Sequence, residues 1–273
     1  VIEKDKIVGL NFVEESRRFY PNGNLLAQVL GFVGTDDKGL DGLEMVLDSD
    51  IKGDTSKELV ATDRHGNAIF GSVLTKFQPD PEKSVTLTID TTIQFIAERA
   101  LDKAMAQTKA AGASIIIMDP KTGEVLAMVS KPTYDPNLFV DGIDQESWKA
   151  LNESLDRPLL NRSMRGTYPV GSTYKPFMGL AGIETGKRTP GTVIQDGGSW
   201  TFGGHTFRSG HALGPVDLAR AIQHSSNVYF YTLANEMGVD AIHDFMKPLG
   251  FGQITGIDLP GEVRGVLPSK EWK

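Results

Sequence analysis

Cysteine is missing from all 273 residues of the chain. Its absence excludes disulfides, a thiol nucleophile and the usual thiolate zinc sites, and leaves the compartment open. Long apolar runs are missing as well. Ser114-Ile-Ile-Ile-Met118 is strand-sized, whereas a membrane-spanning helix needs about 20 apolar residues. No secretory signal opens the chain, and Val1-Ile-Glu-Lys-Asp-Lys6 reads like the interior of something longer, which leaves room for an anchor or export signal ahead of it. Basic tracts are lacking too: 28 basic against 35 acidic residues give a net charge of -7, so nucleic acid is not an expected partner.

What the chain does hold is 40% hydrophobic residues, enough for one large core or a large and a smaller one, so two domains are expected. Residues 1 to about 78 are short patterned pieces broken by turns: Lys6 to Val13, Leu25 to Val33, Asp36 to Glu44, then a strand from Leu59 ending in a Gly66-Asn67 turn and another from Ala68 to Leu74. Phe77-Gln-Pro-Asp-Pro-Glu-Lys83 is polar and proline-rich, and the domain boundary is placed there, dividing the chain into 1–78 and 79–273.

The second part opens on Ser84-Val-Thr-Leu-Thr-Ile-Asp90, whose β-branched residues suit a strand, with Asp90 or Thr91 placed to cap a helix through about Lys109. Ile93, Ile96, Ala97, Ala100, Leu101 and Ala104 share a face of that helix, which is expected to lie against a sheet. Ala113 to Asp119 and Val125 to Ser130, separated by a short turn, read as an antiparallel hairpin. From Gln145 onward the pattern is mostly helical, with Gly-rich loops at 186–216 and 250–265. Strand, helix, hairpin and helical block describe a mixed α+β fold that is not doubly wound.

Within the helical block, Asn161-Arg-Ser-Met-Arg-Gly-Thr-Tyr-Pro-Val-Gly-Ser-Thr-Tyr-Lys-Pro-Phe177 places Ser172 three residues before Lys175, behind a Pro/Gly turn and at the start of an apolar run. On a helix the two lie on one face, close enough for an amine to take a hydroxyl proton. A bare Ser-x-x-Lys is weak: Ser49-Asp-Ile-Lys52 is a second copy, read as a solvated turn. Ser225-Ser-Asn227 strengthens the first copy. It falls between two helical patterns, where small polar groups can point into a cleft. The bland alternatives are that Ser172, Ser225 and Asn227 only cap helices and that Lys175 is a surface lysine.

These motifs, with Tyr134 to Ile143, Thr255-Gly-Ile-Asp-Leu-Pro260, Leu267 to Lys273, Arg18-Phe-Tyr-Pro21 and Gly39-Leu-Asp-Gly-Leu-Glu44, resemble the class B penicillin-binding proteins, and among them the cell-elongation branch. The resemblance implies a serine transpeptidase/β-lactamase-like domain, with an antiparallel sheet and a helical subdomain, preceded by a small β-rich pedestal. It also implies a D,D-transpeptidase that cross-links peptidoglycan. Ser172 would attack the carbonyl between the last two D-alanines of a stem peptide, and Lys175 would act as base. Ser225 would relay the proton, Asn227 would hold the substrate backbone, and the Ser172 amide would form half of an oxyanion hole.

Expected partners are stem peptides, the lipid-linked precursor, β-lactams, a membrane glycosyltransferase and other elongation proteins. The expected place is the extracytoplasmic face of a bacterial cytoplasmic membrane, with an N-terminal anchor outside this sequence. A serine β-lactamase or β-lactam sensor, and a non-catalytic cell-wall scaffold, remain open.

The family's third motif, Lys-Thr/Ser-Gly, belongs well after Asn227 and is not found there. Lys121-Thr-Gly123 has the same letters but precedes Ser172 in an expected hairpin turn, and it is rejected as a site. The resemblance therefore implies a chain that stops before this motif. Some elongation-type relatives carry zinc near the active-site loop. Asp196 and His211 fall near suitable positions, with His205 and His224 close by, but Ile222 stands where a thiolate would be. Neither a metal nor a cofactor is expected.

Overall fold

A computed structural model of the chain describes residues 17–51, 58–64, 68–76 and 84–272. The patterned piece at Lys6 to Val13, the Gly66-Asn67 turn and the proline-rich boundary at 77–83 lie outside the described residues, as does Lys52 of the second Ser-x-x-Lys. The chain forms two compact units, Val1–Arg165 with Asp258–Gly261, and Gly166–Ile257 with Glu262–Lys273.

In the first unit, three short helices come first: α1 (Ala27–Leu30), α2 (Gly42–Val46) and α3 (Asp48–Ile51). Ser49 is exposed on α3, a helical turn where the sequence suggested only a solvated one. Strands β1 (Glu58–Thr62) and β2 (Ala68–Lys76), two strands the sequence leads one to expect, pair antiparallel. Next come α4 (Thr91–Thr108) and strands β3 (Ala113–Met118) and β4 (Val125–Lys131), which form the expected antiparallel hairpin. The unit ends with α5 (Asn137–Val140), α6 (Gln145–Asn152) and α7 (Arg162–Arg165).

Helix α4 begins where the Asp90 carboxylate accepts from the Thr92 and Ile93 amides, satisfying two of the free donors of a helix start. It ends at Lys109, which adopts a left-handed conformation. Its sheet-facing stripe is Ile93, Ala97, Leu101 and Met105, packed on Ile115, Ile117, Ala127 and Val129. The expected stripe was rotated: Ile96 is 61% exposed, whereas Gln94 is wholly buried. Polar anchors set this orientation. The Gln94 side chain accepts from the Met128 amide and donates to the Met128 carbonyl, and Glu98 pairs with Lys131 at 3.1 Å.

The segment Ser84 to Asp90 is not a regular strand. It is held beside β4 by one backbone bond, Asp90 amide to Leu126 carbonyl, and by the Thr88 hydroxyl on the Val125 carbonyl. The triplet Lys121-Thr-Gly123 lies in the β3–β4 turn, where Gly123 adopts φ +80°.

The second unit opens with a 3-10 turn (Gly171–Tyr174) that runs into α8 (Lys175–Glu184). Four short strands follow, β5 (Ile194–Asp196), β6 (Ser199–Phe202), β7 (His205–Arg208) and β8 (Gly214–Val216), then α9 (Leu218–Gln223), α10 (Asn227–Met237) and α11 (Val239–Met246). The region expected to be a Gly-rich loop is thus two antiparallel pairs, β5 with β8 and β6 with β7. Gly203 and Gly204, both at positive φ, close the β6–β7 hairpin in the way a two-residue turn requires.

The core of this unit joins Met178, Ala181, Ala221, Tyr229, Leu233 and Met246. Helices α8 and α10 approach closely because Gly182 has no side chain: a Cβ there would sit 3.0 Å from both Leu233 methyls.

Candidate active site

Ser172 stands in the 3-10 turn and Lys175 is the first residue of α8. Gly171 before them takes φ +58°, a conformation costly for a residue with a Cβ. Pro176 fits the first turn of α8 because its missing N–H would have had no helical partner.

Ser225 and Asn227 arrive from the α9–α10 connection. Ser225 has φ +54° without being glycine, a sparsely populated conformation that often marks functional sites. Ser226 is the N-cap of α10, its hydroxyl accepting from the Tyr229 amide at 3.1 Å. Asn227 is the first residue of that helix. Ser226 is buried, while Ser172 and Ser225 face solvent.

The four residues singled out in the sequence meet. Lys175 Nζ donates to Ser225 Oγ at 2.8 Å, to the Ser225 carbonyl at 2.6 Å and to Asn227 Oδ1 at 2.6 Å. Ser225 Oγ donates to Ser172 Oγ at 2.8 Å. The lysine also lies 5.8 Å from the centroid of the Phe230 ring. Partial burial lowers the Lys175 pKa below the ordinary lysine value, since desolvation disfavours the ammonium. The path from Ser172 to Lys175 runs through Ser225, in place of the direct contact that the three-residue spacing suggested.

Two further residues of the neighbourhood have contacts that the sequence reading did not foresee. Asp196, on β5, is wholly buried; its Oδ1 accepts from the Gly198 amide at 2.8 Å and its Oδ2 from the Ser226 hydroxyl at 2.5 Å. Ser226 carried a signal, a serine directly before an apolar helix, whereas the partnership of residues 196 and 226 had none. The arrangement does not fit a zinc ion. Both Asp196 oxygens have protein donors, His205, His211 and His224 are exposed, and among the described residues no three His, Cys, Asp or Glu side chains are grouped to hold a metal.

A hydroxyl joined through a second hydroxyl to a lysine amine, at the edge of a helical block, is the hallmark of active-serine acyl-transfer enzymes of the Ser-x-x-Lys kind. The chain belongs to the penicillin-binding protein transpeptidase family: residues 113–273 match the family described as "Penicillin binding protein transpeptidase domain", and residues 2–87 match "Penicillin-binding Protein dimerisation domain". It is 36% identical to the peptidoglycan D,D-transpeptidase MrdA of Acinetobacter baumannii over 99% of its own length and 42% of that relative's. Its fold superposes on PBP2 of Pseudomonas aeruginosa with a TM-score of 0.77 at 36% identity, covering 96% of this chain and 57% of that one. On PBP2 of Helicobacter pylori, solved in complex with MreC, the TM-score is 0.80 at 30% identity, with 94% and 49% covered. These matches place the chain in the elongation-type, class B branch, as a mixed α/β transpeptidase domain with antiparallel sheets and a small β-rich dimerisation domain.

Proposed function

We propose that the protein to which this chain belongs is a peptidoglycan D,D-transpeptidase that cross-links stem peptides through an acyl-enzyme on Ser172. Support comes from the unbroken hydrogen-bond path Lys175 Nζ to Ser225 Oγ to Ser172 Oγ, open to solvent as a polymeric substrate requires. Neutral Lys175 draws a proton from Ser225, which takes one from Ser172 as both hydroxyls rotate. The freed Ser172 oxygen forms a bond to the carbonyl carbon between the two terminal D-alanines. Collapse of the tetrahedral intermediate breaks the peptide bond, and the leaving nitrogen collects the proton from Lys175 through Ser225. An amine from a neighbouring stem then attacks the acyl carbon and gives its proton to Lys175; as the ester bond to Ser172 breaks, that proton passes through Ser225 to the Ser172 oxygen and restores the hydroxyl. Asn227, besides accepting from Lys175, turns its amide N–H toward the substrate backbone.

The same assignment carries β-lactams as acylating inhibitors and a functional boundary near residue 78, in keeping with family matches over 2–87 and 113–273. It places the protein at the extracytoplasmic face of the cytoplasmic membrane, working with a glycosyltransferase and elongation proteins; the relative from Helicobacter pylori was solved with MreC.

The test is intact-mass spectrometry after exposure to a penicillin, on wild type and Ser172→Ala. A stable one-to-one adduct, lost in the variant, is the expected result. Rapid release of the hydrolysed drug would reassign the protein as a β-lactamase, and no adduct on the full-length protein would overturn the transpeptidase assignment.

A further inference from the structure

Between Ser225 and Asn227, which face the site, stands Ser226, which faces the interior. Its hydroxyl is held from two sides, accepting from the Tyr229 amide at 3.1 Å and donating to Asp196 Oδ2 at 2.5 Å. The second distance is that of a strong hydroxyl-to-carboxylate bond. Asp196 itself has little freedom. It is wholly buried, its Oδ1 is held by the Gly198 amide, and β5 is fixed to β8 in the register Asp196 with Gly214 and Ile194 with Val216. Among the described residues no cation is paired with this carboxylate. A buried carboxylate on one amide and one hydroxyl is costly to desolvate, and the seating of Ser226 is what it accomplishes.

We infer that Asp196 is a positioning residue for the acyl-transfer reaction, acting through the Ser226 hydroxyl to hold Ser225 and Asn227 against Lys175. Ser225 sits at φ +54°, a conformation its Cβ disfavours. It is pinned on one side by its own amide on the Ile222 carbonyl, and on the other by the Ser226 amide on the Ala221 carbonyl and the Ser226 hydroxyl on Asp196. Releasing the last of these frees the connection to relax toward ordinary backbone, which swings Ser225 Oγ off the line between Ser172 and Lys175.

The inference rests on the transpeptidase reading for its kinetic consequence but not for its structural one, and the experiment separates the two. Asp196→Asn, Asp196→Ala, Ser226→Ala and the double variant Asp196→Ala/Ser226→Ala are made in the full-length protein. Penicillin acylation is resolved into non-covalent affinity and the acylation rate constant, and amide exchange is followed at Tyr229. The near-isosteric Asp196→Asn keeps the volume and turns the hydrogen bond to Ser226 around.

A loss of about ten- to a hundredfold in the rate constant, with affinity unchanged, is expected in each single variant. The double variant should be no slower than the slower single one, and Tyr229 exchange should quicken alike in Asp196→Ala and Ser226→Ala. Wild-type rates in both Asp196 variants, or losses that multiply in the double variant, would overturn the positioning role. If wild type itself is not acylated, the transpeptidase reading falls alone; Tyr229 exchange then decides the clamp, and unchanged exchange in Asp196→Ala refutes it.

Discussion

Ser225 offers Lys175 two oxygens at once, its Oγ at 2.8 Å and its carbonyl at 2.6 Å. Ser225 makes both contacts with its backbone at φ +54°, so the strained conformation and the proposed relay belong to one residue. The side chain and backbone of Ser225 therefore respond to substitution in opposite directions.

Ser225→Gly removes the hydroxyl and relieves the left-handed backbone. Acylation should fall by about 10²- to 10⁴-fold, while stability rises by up to about 1 kcal/mol. Ser225→Ala should lose the same activity without the gain. Stopped-flow acylation and urea denaturation of both variants check the pair.

The pH profile follows from Lys175. As the proposed base Lys175 must be neutral, so acylation is expected to rise with pH through its folded pKa, which burial holds below the ordinary lysine value. Asn227→Asp brings a negative charge to a position 2.6 Å from Nζ, favours the ammonium, and should move the rising limb up by about one to three pH units. A limb that stays in place would remove Lys175 as the base.

Lys131 and Glu98 are both buried, and Lys131 also reaches Asp102 at 3.3 Å. Lys131→Met strands the Glu98 carboxylate and should cost about 3–5 kcal/mol, most of it recovered in Lys131→Met/Glu98→Leu. Chemical denaturation of the two variants measures the difference.

Gly182→Ala places a methyl against Leu233 and should destabilise by about 1–3 kcal/mol. Adding Leu233→Val makes room and should restore much of the loss. Thermal unfolding of the single and double variants is the measurement.

Legibility in the sequence followed how local each signal was. Ser172 with Lys175, and Ser225 with Asn227, were visible because each pair is close in the chain and flanked by helical patterns. The Asp90 cap and the β3–β4 hairpin were visible for the same reason. The face of α4 was misjudged because Gln94 and Glu98 are buried for partners, Met128 and Lys131, that lie more than thirty residues away. Hydropathy counts such residues as exposed. The β6–β7 hairpin was passed over although Gly203-Gly204 marks it, the glycines having been read as loop. The pairing of Asp196 with Ser226 was hidden for a plainer reason: no periodicity connects a three-residue strand to a helix cap thirty positions later.

Helices α8 and α10 both begin at this site, with Lys175 and Asn227 as their first residues. Each helix start carries about half a unit of positive charge from its aligned peptide dipoles. The chain as a whole is at -7, yet the spot where a peptide carbonyl would gain electrons lies beside two such electropositive ends. Such a field would steady a developing oxyanion. An anionic group thus meets local attraction on a chain whose own net charge is -7, and because that attraction comes from the backbone, it survives side-chain substitutions that leave the helices intact.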